Sequence, residues 1–235
     1  MLRLNLSSYG LPQLLIWPAG IVAAVVAITL LGPRLVGWRV VLAVDGLLVV
    51  LLGWVLWFFR DPPRACPDDP TILLAPADGR IVDIGLTSDN ELGPKVLRIG
   101  IFMSIFDVHV NRSPCRARVL QVRYQPGRFM NALNPASSTV NQSNTIWLQR
   151  LDHPQDRLIV RQIAGAIARR IVCGLDQGQV LAPGQRIGMI KFGSRTELYV
   201  PYRPGLECMA KVGQAVKAGL TPLMRYEDEQ GPSQA

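Results

Sequence analysis

Hydrophobic positions fall into two regimes along this chain. Between Leu4 and Pro33 no residue is charged, and Leu11 to Leu31 (LPQLLIWPAGIVAAVVAITLL) is a mostly apolar run, interrupted near its start by Trp17-Pro18. A second run, Val40 to Phe59, follows the connection GPRLVGWR. About 20 apolar residues is the length that crosses a bilayer core. The pattern predicts a helical hairpin over residues 1–59 with Arg34 and Arg39 in its short turn, and Trp38, Trp54 and Trp57 as interfacial anchors. Asp45 opposes this, since a carboxylate near the middle of a spanning helix costs about 3 kcal/mol; it must reach the interface or face the partner helix. A cleaved signal peptide is disfavoured, because no cleavage site follows the first run and a second run does.

The regime changes at Arg60. RDPPRACPDDP (residues 60–70) reads as a linker whose prolines cannot continue a helix. Residues 71–235 then carry short apolar runs separated in many places by Gly, Pro and Asp: Thr71–Leu74, Arg80–Ile84, Val96–Met103, Arg118–Tyr124, Thr145–Leu151, Leu158–Ile163, Ile187–Lys191, Thr196–Val200 and Glu207–Val212. Such runs predict strands. Helical signals are confined to a turn at Ser104–Asp107 and a short stretch at Gly127–Leu133. GQVLAPGQRIG (Gly178–Gly188) echoes KVGQAVKAGLTP (Lys211–Pro222), as hairpins recur in the sandwich-like barrels of lipoyl and biotinyl domains; two unrelated turns explain the echo equally well. The expected fold is therefore mostly β: a barrel-sandwich-like domain preceded by an N-terminal transmembrane helical hairpin.

Composition sharpens this picture. The chain is 49% hydrophobic yet carries a net charge of +8. The apolar excess belongs to the N-terminus and the basic excess mostly to the rest, which points to an anionic partner. An apolar anchor beside a basic domain favours an anionic phospholipid membrane. Nucleic acid is disfavoured, because no basic run interleaves with aromatics and no helix-turn-helix or zinc-finger spacing occurs. Cys66, Cys115, Cys173 and Cys208 form no CxxC pair, so neither a metal site nor a redox motif is expected. Isolated thiols fit a reducing compartment.

Two histidines limit the chemistry. His153 lies in the turn LDHPQD and reads as a solvated loop residue; His109 lies in FMSIFDVHVNRSP, where an apolar strand meets Ser104, Asp107, Asn111 and Arg112. Any imidazole chemistry falls on His109. Asp78, in APADGR, is ordinary turn chemistry, unless it meets His109 in space and orients the ring. KFGSRTELYVP (Lys191–Pro201) raises a sharper question: a strand is broken by Gly193-Ser194. Glycine lets a peptide bond be strained and closely approached. A deprotonated Ser194 hydroxyl could attack the Gly193 carbonyl and move the acyl group from nitrogen to oxygen. Elimination from that ester and hydrolysis would leave a pyruvoyl group, a built-in electrophile.

RDPPR, APADGRIVDI, IFMSIFDVHVNRSP, PGRFMNA and KFGSRTELYVP, in this order, resemble the phosphatidylserine decarboxylase family. The likeness covers Arg60 to Val212 and is to the short bacterial form, whose cleavage site reads F-G-S-R. It implies self-cleavage between Gly193 and Ser194 into a β chain (1–193) and an α chain (194–235) that stay together as a heterodimer, higher oligomers being left open. It implies a covalent pyruvoyl cofactor made from Ser194 and a cleavage triad of Asp78, His109 and Ser194. The implied substrate is phosphatidylserine, decarboxylated to phosphatidylethanolamine; the later proton transfer is assigned to His109 because no other histidine is well placed. The implied location is the inner cell membrane with the catalytic domain on the cytoplasmic face, although Arg3, Arg34, Arg39, Arg60 and Arg64 do not themselves orient the hairpin. Phe106 stands where the long form has a first His, and Asn141-Gln142-Ser143 stands where relatives often show N-E-R. Lys191, Arg112 and Arg195 are candidates to contact the substrate phosphate or carboxylate. Two competing readings are a membrane-anchored serine hydrolase using the same three residues, disfavoured by the lack of a G-x-S-x-G elbow, and a non-enzymatic lipoyl-like module.

Overall fold

The computed structural model describes residues 5–153, 155–166, 170–191 and 193–226, and the chain separates into two compact units, Met1–Pro63 and Arg64–Ala235. In the first, α1 (Leu11–Leu31) and α3 (Trp38–Phe58) are joined through the short α2 (Pro33–Val36). At 1.5 Å per residue, each 21-residue helix is about 31 Å long, a bilayer core's thickness. The two long helices are antiparallel: the Trp17 and Phe59 rings meet edge to face at 6.4 Å, and near the turn Thr29 Oγ1 donates to Asp45 Oδ2 at 2.7 Å. Asp45 thus faces the partner helix, where a hydroxyl offsets part of its desolvation. No residue of α1 is buried; both helices are long and apolar enough to cross a membrane.

The second unit is built from β1 (Ile72–Leu74), β2 (Gly79–Asp89), β3 (Gly93–Met103), β4 (Val110–Arg112), β5 (Ala117–Gln125), α4 (Ser137–Val140), β6 (Ser143–Arg150), β7 (Arg157–Ile163), β8 (Arg170–Cys173), β9 (Val180–Leu181), β10 (Arg186–Lys191), β11 (Ser194–Pro201), β12 (Leu206–Cys208), β13 (Ala215–Val216) and β14 (Pro222–Tyr226). An eight-stranded sheet curls in the order β13-β2-β3-β11-β7-β6-β5-β9; two smaller sheets, β1-β14-β12 and β4-β10-β8, complete the unit. The expected mostly-β fold is what the structure shows. Strand residues alternate between faces, and the inward set, including Ile81, Ile99, Ile101, Ile146, Leu148, Leu158, Val160, Leu198 and Val200, forms the core.

Two sequence expectations are decided here. Gly127–Leu133 is not a helix: Gly127 packs against the Asn141–Gln142 backbone and Arg128 bridges to Asn141. The echo, by contrast, is a true repeat. Gly178 and Gly213 have φ of +84° and +87°, and Gly184 and Gly219 have +68° and +71°. β9 pairs with β5 as β13 pairs with β2. The Gly184 and Gly219 N–H groups donate to the carbonyls of Ser113 and Ala75, each just before one of those paired strands. The two glycine turns pack on each other with Cys66 Sγ beside both, leaving no room for a side chain.

Candidate active site

The site is built where β10 hands over to β11. β10 ends at Lys191 and β11 opens at Ser194, opposite Met103 of β3. Between them Gly193 has φ +57°, a conformation glycine adopts freely and other residues rarely do. Ser194 is fully buried, with its Oγ 4.0 Å from Met103 Sδ. It shares the inward face with Thr196, Leu198 and Val200.

The Gly193 carbonyl is approached closely by Gly165, just past β7. A Cβ at position 165 would lie 1.9 Å from the Gly193 oxygen and 3.0 Å from its carbonyl carbon, with Ala132 Cβ 3.4 Å away. Ala132 belongs to PGRFMNA, so this segment and the cleavage motif converge on one peptide bond. Gly165 is held there by its neighbour: the Ala164 N–H donates to Gln142 O at 2.9 Å, and Ala164 O accepts from Asn141 Nδ2 at 2.7 Å. The same Asn141 clamps Met130, donating to its carbonyl and accepting from its N–H at 2.9 Å each. Asn141 is 1% exposed, and sequence reasoning assigned this stretch no role.

His109 precedes β4 and is fully buried. Its carbonyl accepts from the Ile190 N–H at 3.3 Å, which ties it to the strand running into Gly193. Nδ1 lies 2.9 Å from the Asp107 carbonyl oxygen. A carbonyl only accepts, so the neutral ring carries its proton on Nδ1 and Nε2 is the nitrogen able to take one. Asp107 closes its own turn, accepting from the Ser104 N–H and Oγ at 2.8 Å. Phe106 is 64% exposed on this turn. Beside it opens a cleft of about 500 Å³ lined by Phe102, Ser104, Asp107, Leu133 and Arg80.

A polar row runs beneath Ser194. Asn111 Nδ2 donates to Thr196 Oγ1 at 3.1 Å, Gln162 Nε2 to Asn111 Oδ1 at 2.8 Å, and Asn144 Nδ2 to Gln162 Oε1 at 3.0 Å. All four are buried. With its partners in place, such a network fixes its members rigidly.

A family profile described as phosphatidylserine decarboxylase matches residues 51–223. The chain is 45% identical over 186 residues to the phosphatidylserine decarboxylase proenzyme of Rhodopirellula baltica, covering 79% of this chain and 76% of that one. It is 42% identical over 210 residues to the proenzymes of Nitrosomonas eutropha and Nitrosomonas europaea, covering 89% of this chain and 93% of each. The chain belongs to the phosphatidylserine decarboxylase family. The matched span contains Asp78, His109, Gly193 and Ser194.

Against that family pattern, the structure ties His109 through Ile190 to the strand that runs into Gly193 and Ser194, but it gives Asp78 other partners. Asp78 is gripped at both carboxylate oxygens by Arg64, at 2.6 and 2.8 Å, and Oδ1 also accepts from the Ala218 N–H at 2.8 Å. No described hydrogen bond joins it to His109. Two of the three candidate substrate cations, Arg195 and Arg112, also have other partners. Arg195 points to the outward face, buried between Glu197 and Asp83. Arg112 donates to the Gly184 carbonyl at 3.1 Å. Lys191 is buried opposite Arg170 of β8; burial, then the Arg170 charge, lowers its pKa. All four cysteines are free thiols, and burial raises Cys115 to about 12, leaving it protonated near neutrality.

Proposed function

We propose that this chain is a pyruvoyl-dependent phosphatidylserine decarboxylase that cuts itself between Gly193 and Ser194. The observation that carries the reading is the scissile bond itself. A buried serine follows a left-handed glycine whose carbonyl is approached by a residue with no side chain. In the cut, His109 Nε2 takes the Ser194 Oγ proton, Oγ bonds to the Gly193 carbonyl carbon, and the C–N bond breaks as the nitrogen gains a proton. Loss of the residue 194 Cα proton then breaks the Cβ–O bond and frees the Gly193 carboxylate. Water replaces the remaining nitrogen, which leaves as ammonia.

The finished group fits because it is residue 194 with fewer atoms, in the space serine already fills. When present, it supplies a ketone that takes the substrate amine and draws electrons from the Cα–carboxylate bond. His109, tied by its carbonyl to Ile190 of the strand leading into the cut, is the proposed donor of the proton that replaces CO₂. Asp78 is the proposed third member of the cleavage machinery; a direct bond to His109 requires the Arg64 clasp to open. The two chains remain one body on this reading, because β11 of the small chain lies between β3 and β7, and β14 lies between β1 and β12. The hairpin anchors the enzyme in the inner cell membrane, with its catalytic domain on the cytoplasmic face beside anionic lipid.

The test is Ser194→Ala in the full-length protein, with CO₂ release from carboxyl-labelled phosphatidylserine in mixed micelles. The wild type should be cut and active, the variant uncut and inactive. A variant still cut at the same bond contradicts the mechanism. A wild type that is never cut and releases no CO₂, but hydrolyses an ester of the same lipid, would point instead to the serine hydrolase.

A further inference from the structure

We propose that the outward face of the large sheet holds a second anion site, built for a phosphate-type oxyanion. Two cross-strand rows form it. Arg98, Tyr199, Ile159 and Trp147 stand opposite one another across β3, β11, β7 and β6. The next row is Glu197, Arg161, Thr145 and Arg123 across β11, β7, β6 and β5. Strand alternation turns Ser194, Thr196 and Leu198 to the opposite face, so this is not the cleavage centre. All residues of the two rows but Glu197 line a cavity of about 340 Å³, roomy enough for a phosphate with a glycerol-sized substituent.

Its charge is unbalanced. Three arginines, Arg98, Arg123 and Arg161, line the cavity against one carboxylate, Asp89. Asp83 is shared between Arg98 and Arg195. Glu197 is spent on Arg195 and on the Tyr199 hydroxyl, which donates to it at 2.6 Å. Donors remain in surplus: Arg98 Nε, Arg161 Nε and Trp147 Nε1 are buried and meet no acceptor among the described residues. Trp147 is only 7% exposed, and the Arg123 guanidinium lies 4.9 Å from its ring centroid. Buried donors normally find acceptors, and a fork of arginine N–H groups matches the oxygens of a phosphate. The same chemistry is offered by free phosphate and by the headgroup of an anionic lipid.

The experiment titrates inorganic phosphate into the full-length protein in phosphatidylcholine nanodiscs by calorimetry. Saturable binding is expected, weakened about tenfold or more by Arg123→Gln or Arg161→Gln, as for loss of a charge-assisted hydrogen bond. The state of the Gly193–Ser194 bond should match the wild type in both. Arg123 is exposed, so its variant decides the matter if Arg161→Gln does not fold. Nanodiscs containing phosphatidylglycerol separate the sources: suppressed phosphate binding identifies a lipid headgroup as occupant, unchanged binding a free phosphate. No saturable binding by the wild type, or binding that neither substitution weakens, overturns the proposal. The outcome does not depend on whether the chain is cut.

Discussion

Gly165→Ala probes the cleavage site without replacing a reacting atom. The added methyl carbon would stand 1.9 Å from the Gly193 oxygen, whereas a comfortable C···O approach is about 3.3 Å. One partner must retreat by about 1.4 Å. Gly165 has no left-handed φ, so alanine is not strained by its own backbone and the whole cost is the collision. Ala164 is pinned to Asn141 and Gln142, which leaves the Gly193 carbonyl as the part that yields. A 1 Å misplacement of reacting groups costs on the order of a hundredfold, so self-cleavage should slow by at least about that factor. Overpacking of this size costs roughly 1–3 kcal/mol, and the variant should fold with a modestly lower Tm. The assay is a time course of uncut chain on denaturing gels, beside a thermal melt. Gly85→Ala, with nothing within 4 Å of its Cβ, is the control and should be cut like the wild type. A folded Gly165→Ala cut as fast as wild type would refute the reasoning.

Three further outcomes follow. Asn141→Ala removes hydrogen bonds to Met130 N–H, Met130 O and Ala164 O. It should cost about 2–4 kcal/mol in denaturant melts and slow cleavage by loosening Gly165; an unchanged cleavage rate would remove Asn141 from the positioning frame. Asp78→Asn and Arg64→Gln separate two roles: if Asp78 serves His109, the first should slow cleavage about a thousandfold or more and the second far less, whereas equal effects would reduce Asp78 to a clasp. Burial raises Cys115 from 9.0 and Tyr226 from 10.0, each to about 12. Groups whose folded pKa lies above the unfolded value stabilise fully below the unfolded one and lose that contribution as pH rises through the folded one. Stability should therefore fall between pH 9 and 12, less steeply in Cys115→Ala; a flat profile over that window would contradict it.

What was legible in the sequence was local. Two long apolar runs announced the hairpin, and short apolar runs separated by Gly, Pro and Asp announced most long strands, because both patterns depend on near neighbours in the chain. Ser104–Asp107 formed its expected turn for the same reason. The parts that were missed depend on distant meetings. Gly165 belongs to none of the motifs singled out in the sequence, and only the fold brings it against Gly193, 28 residues later. Asn141 was given no role in the sequence, yet its amide holds two segments 11 and 23 residues away. Arg195 adjoins the cut in sequence, but strand alternation turns it to the other face. The glycine echo was ambiguous until matching φ values and matching strand pairings made it a repeat.

The central claim is that residue 194 is both scissors and cofactor precursor. The most direct test is the intact mass of the full-length protein under denaturing conditions. The account predicts two fragments meeting at Gly193/Ser194, the smaller lighter by one ammonia than a peptide starting with serine. A single uncut chain, or a small fragment that still begins with serine, would contradict it.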